Sequence, residues 1–74
     1  MCLGLPMRVV TIDGVNAECE AQGIQRTVSL FMMQKHSVEV GDYVIVHVGY
    51  AIQKIDPVEA QSRWELIENV YQSQ

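Results

Sequence analysis

Residues 7–21, Met7-Arg-Val-Val-Thr-Ile-Asp13-Gly14-Val-Asn-Ala-Glu-Cys-Glu-Ala21, decide the fold. Met7 to Ile12 is rich in β-branched residues and predicts a strand. Asp13-Gly14 is a dipeptide suited to a tight hairpin turn with positive φ at both central positions. Beyond it the chain alternates strictly. Val15, Ala17, Cys19 and Ala21 fall on one face, and Asn16, Glu18 and Glu20 on the other. Period two with one apolar face is the pattern of a half-buried strand. It places Cys19 toward the core, as a small hydrophobe.

Working outward, Gln22-Gly23 makes the next turn, and Ile24 to Met32 alternates again. Ile24, Val28, Leu30 and Met32 are expected inside, and Arg26 interrupts that face at the barrel rim. A polar loop, Met33 to Val40, carries His36 in solvent. Gly41-Asp42 launches Tyr43 to Val48 (YVIVHV), apolar on both faces, as a strand covered on each side requires. Gly49-Tyr50 interrupts the run, and Ala51 to Ile55 forms a last strand. Five short strands with regularly spaced glycine turns predict a small closed or nearly closed barrel, mainly β. Asp56-Pro57-Val58-Glu59 then reads as a helix start: a cap, a proline at the first helical position and a glutamate placed for a capping box. Ala60, Trp64, Ile67 and Tyr71 recur at helical spacing, so the helix packs that stripe on the barrel. The expected organisation is a single domain, 1–74. It has an N-terminal arm at 1–6, the barrel at about 7–55 and a C-terminal α-helix at about 57–71.

Composition narrows the function. The chain has 74 residues, 49% hydrophobic and 19% charged, with a net charge of −4. That is a folded composition, and no apolar run approaches the roughly 20 residues that span a bilayer. The start lacks the basic and apolar regions of a secretory signal, so the expected compartment is the cytoplasm. Arg8, Arg26, Lys35, Lys54 and Arg63 are scattered, which argues against a nucleic-acid partner. Cys2, Cys19, His36 and His47 lack the paired spacing of a structural zinc site. No GxSxG, P-loop, HExxH or GxGxxG motif is present.

Chemistry concentrates at the start, Met1-Cys2-Leu3-Gly4-Leu5-Pro6. A cysteine at position two lies where chains are loosely packed. It is small enough for Met1 to be removed ahead of it. Cys2 would then carry both a thiol and a free α-amino group, whose charge favours the metal-binding thiolate. Gly4 permits a turn or a close approach, and Pro6 stiffens the arm. On chemistry alone an idle, oxidisable end is an equal reading. His47 shares a face with Tyr43 and Ile45; a barrel-wall or core histidine is one reading, and an imidazole beside the Cys2 arm is the other. The second would make a thiolate–imidazole site for a transition metal such as iron.

The opening MCLGLP, the run GDYVIVHVGYAIQKID and the short acidic helix after it resemble the HypC/HybG/HupF family of NiFe-hydrogenase assembly chaperones. The resemblance covers nearly the whole chain, and the pairing of the M-C-x-G-x-P start with the distal VHVG segment is its specific part. It implies a five-stranded OB-like barrel with one C-terminal helix. It implies a carrier and not an enzyme, with no permanent cofactor, handling transient iron that bears cyanide and carbon monoxide. The implied partners are a HypD-like iron–sulfur scaffold protein and the precursor of the hydrogenase large subunit, with no nucleic acid and no membrane. Cys2 matches the family's iron and partner contact, His47 its segment histidine, and Gly4 and Pro6 the motif that sets the arm's path. Met7 departs from the glycine that many members carry there. The competing readings are a nucleic-acid-binding OB or SH3-like barrel and an enzyme with Cys2 as nucleophile.

Overall fold

The computed structural model describes residues 4–72, with helix side chains to Ile67. Five strands are present: β1 Leu5–Asp13, β2 Asn16–Ala21, β3 Ile24–Ser29, β4 Tyr43–His47 and β5 Tyr50–Ile55. They close in the order β1-β2-β3-β5-β4, and α1, Pro57–Gln72, follows. This is the expected mainly β, OB-like five-stranded barrel with one C-terminal helix. All neighbours are antiparallel except β3 and β5, which meet in parallel at the single pair Ser29↔Tyr50.

Met7, Val9, Ala17, Cys19, Val28, Leu30, Met33, Val44 and Ala51 fill the barrel. Ile45, Ile55 and Ala60, with Tyr43, form a second cluster outside its wall, where α1 begins. The two faces of β4 are thus covered by different layers from Tyr43 to Val46, which is why Val44, Ile45 and Val46 are all apolar. Asp56 caps α1: the Glu59 amide donates to Asp56 Oδ1 at 2.8 Å. The glutamate half of the expected capping box is used otherwise, because Glu59 Oε2 accepts from Arg63 Nη2 at 2.8 Å.

Several inward positions differ from the alternation. Asp13 pairs with Asn16, so the turn is Gly14-Val15 and not Asp13-Gly14. Gly14 carries the positive φ of 63°, and Val15 is exposed at the turn. A bulge at Val10 shifts the register between Val9 and Thr11, which carries Ile12 toward the core in place of Thr11. β3 ends at Ser29, and a 3-10 turn, Phe31–Met33, follows. The change of period buries Met33 and exposes Met32. Ile24 is 50% exposed, because β5 does not reach that end of β3.

β1 starts at Leu5, two residues before Met7, so Leu5 and Pro6 belong to the wall and not to an arm. Pro6 pairs with Ile45, yet its carbonyl accepts from α1 (see below) and so points away from β4. The N–H and C=O of one strand residue point the same way. The donor that proline lacks would have faced away from β4 too, and no bond between β1 and β4 is lost.

Candidate functional site

Gly4 lies hard against β4. A Cβ there would stand 2.7 Å from Val46 O and 2.7 Å from Ile45 Cγ2. Only glycine lets the chain enter the barrel this close to a backbone carbonyl. Leu5 pairs with Val46, so Gly4 stands level with the end of β4, where His47 lies. Pro6 is fully buried, and its carbonyl accepts a 2.7 Å hydrogen bond from Trp64 Nε1 on α1. Residues 4–6 are therefore held on one side by β4 and on the other by the helix. Cys2 lies outside the described residues.

His47 is exposed and pairs with Tyr50 across the β4–β5 turn, which corrects the core reading. Tyr43 and Ile45 share its face but lie under the helix start; His47 lies past that cover. The turn after it is Val48-Gly49, with φ of 52° and 82°. Both central positions are left-handed, as in a type I′ hairpin. Val48 is a β-branched residue in a conformation that such residues rarely adopt. It is 82% exposed.

Cys19 has no part in this site. It is sealed in the core, where burial raises the thiol pKa, with the Glu18 charge adding to the effect. A thiol held protonated and out of reach is unreactive. His36 is exposed in the loop. Among the described residues, no group of three or more His, Cys, Asp and Glu is placed to hold a metal ion. No helix of the described residues is long and apolar enough to cross a membrane.

The sequence pattern missed the Trp64–Pro6 bond and the strained Val48. The first had a signal: a tryptophan in a buried stripe needs an acceptor for its N–H.

Residues 1–67 match the model of the HupF/HypC family. The chain belongs to the HupF/HypC family. It is 48% identical over 62 residues to hydrogenase maturation factor HypC of Cupriavidus necator, covering 82% of this chain and 67% of that one. Against HypC of Escherichia coli K12 the identity is 36% over 75 residues, covering 96% and 83%. Against hydrogenase expression/formation protein HupF of Bradyrhizobium diazoefficiens it is 44% over 61 residues, covering 82% and 60%. In this HupF/HypC chain, Gly4, Pro6 and His47 gather at one end of the β1–β4 pair.

Proposed function

We propose that this protein is a NiFe-hydrogenase maturation chaperone of the cytoplasm. It helps to assemble an iron unit bearing cyanide and carbon monoxide on a HypD-like iron–sulfur scaffold protein. It then delivers that unit to the precursor of the hydrogenase large subunit. The observation that supports this reading is the anchoring of Gly4 and Pro6 beside exposed His47. One residue, Leu3, separates Cys2 from Gly4, so their Cα atoms are at most about 7 Å apart. In this reading the thiol works from a chain anchored at Gly4 and Pro6, at the end of β4 where His47 is exposed.

The chemistry suits a carrier. A thiolate is a soft ligand for iron. With methionine removed, the adjacent ammonium favours that thiolate. One thiolate, with His47 as a neighbour that supports or shapes the site, leaves positions on iron free for the donor and for the acceptor protein. A closed cage of protein ligands would hold the iron against transfer. Family names for the relatives, hydrogenase maturation factor among them, agree with a carrier that performs no turnover of its own.

The test is anaerobic co-expression with HypD. Cys2→Ala is expected to abolish co-purification of HypD and iron while the isolated variant keeps the wild-type circular dichroism and melting curve. Wild-type recovery of HypD and iron with Cys2→Ala contradicts the proposal. An intact mass lacking Met1 is expected for the wild type.

A further inference from the structure

The barrel has an unfilled seam. β3 and β5 meet only at Ser29↔Tyr50, with the Ser29 amide donating to Gly49 O at 2.9 Å. From Ile24 to Val28, β3 has β2 on one side and no strand on the other among the described residues. Ala21↔Ile24 closes a two-residue turn. The backbone groups of Ile24, Arg26 and Val28 therefore face β2, and those of Gln25, Thr27 and Ser29 face away. The Ser29 bond fits this parity.

Gln25 and Thr27 thus present backbone groups to the open edge of β3, beside a groove of about 300 Å³ that Thr27 lines. Met7, Val28 and Val46 form its floor, and Leu5, Ile24 and Val48 its exposed rim. Arg26 is the only charged residue among the described residues that line it. Its guanidinium lies over the open edge and donates from Nη1 to Gln25 O at 2.9 Å. Charged side chains laid on an edge in this way keep sheets from pairing with the wrong chain.

We infer that this seam accepts an extended segment of a partner polypeptide as an added strand beside β3, with an acidic side chain of that segment paired to Arg26. The incoming carbonyls accept from the Gln25 and Thr27 amides. The incoming carboxylate draws Arg26 off the Gln25 carbonyl, which then accepts an incoming N–H. Alternate apolar side chains enter the groove, the arrangement by which strand addition obtains specificity. Charge selects this occupant: among the described residues the groove is apolar with one cation, which an acidic side chain of the partner complements. The inference uses the barrel wall and no iron ligand, so it stands apart from the carrier reading.

The probes are two capped hexapeptides, Thr-Val-Thr-Glu-Thr-Val and Thr-Val-Thr-Lys-Thr-Val, in which the valines and the one charged side chain share a face, added to full-length Cys2→Ala protein. The readout is amide hydrogen exchange by NMR. The glutamate peptide is expected to slow exchange at Gln25 and Thr27 by about tenfold or more, and the lysine peptide to leave it unchanged. Arg26→Glu, at an exposed position, is expected to reverse that preference. Equal response to both peptides, protection elsewhere only, or no protection at millimolar peptide overturns the inference. Protection of Gln25 and Thr27 that rises with protein concentration alone identifies a second copy as the occupant and also overturns it. Failure of HypD binding in Cys2→Ala with peptide binding intact is the expected pairing of the two experiments.

Discussion

Trp64 Nε1 donates to the Pro6 carbonyl across 2.7 Å, so the helix at the far end of the chain holds the strand that carries the N-terminal motif. Residues 58 positions apart share one bond, and α1 thereby governs where the motif sits. Trp64→Phe keeps most of the ring and removes the donor. It is expected to destabilise by about 1 kcal/mol. Trp64→Ala also removes packing from a half-buried site and is expected to destabilise by roughly 2 kcal/mol. Urea unfolding of both variants checks the order, and equal stability of Trp64→Phe and wild type would show that the bond contributes nothing.

Gly4→Ala places a methyl against the Val46 carbonyl, an atom of the backbone that cannot turn aside. The start of β1 must then lift from β4. A loss of about 1–3 kcal/mol is expected, with faster amide exchange confined to the β1–β4 pairs near Leu5 and Val46. HypD recovery should fall more steeply than stability does, since the motif itself is displaced. Wild-type recovery of HypD with Gly4→Ala would show that the close approach does not matter.

Val48 holds φ at 52° with its side chain in solvent. Val48→Gly or Val48→Asn removes that strain with almost no packing lost. Each is expected to stabilise by about 1 kcal/mol, read as a raised urea midpoint. A lowered midpoint for both would mean that the valine is held there by contacts stronger than the strain.

Asp42 accepts from the Glu39 amide at 2.8 Å and pairs with Lys54 at 3.2 Å. Chiefly the backbone bond, and then Lys54, hold its carboxyl below the usual pKa against a smaller opposing effect of burial. A carboxyl depressed in the folded state stabilises fully above its unfolded value of about 3.9. That contribution is lost as pH falls below it, through the folded value. Asp42→Asn is therefore expected to be less stable than wild type at neutral pH and to converge with it in acid. A gap in melting temperature that stays constant from neutral pH into acid would refute the linkage.

How much of this was legible follows from local physics. Ala17, Cys19 and Val28 read correctly as core because β2 and β3 keep an unbroken period of two through those positions. Met32 and Met33 did not, because a 3-10 turn breaks the period there, and a bulge at Val10 likewise shifts the phase within β1. No residue type marks either event. Val15 and Ile24 sit where a turn and the barrel seam remove the covering layer, and tertiary closure is invisible to a pattern one strand long. The Asp56 cap was legible, since its signal is local. At the site, the close approach at Gly4 was only half readable: the sequence shows a glycine, and β4 supplies the carbonyl it must clear. His47 reads as wall from its valine neighbours, but it is the last residue of β4, where the wall ends.

The central claim is that the thiol of Cys2 carries iron. The most direct measurement is the infrared spectrum of the complex isolated anaerobically with HypD. The account predicts cyanide and carbonyl bands from the wild type, and their loss in a folded Cys2→Ala variant. Those bands at undiminished intensity in the Cys2→Ala complex would contradict it.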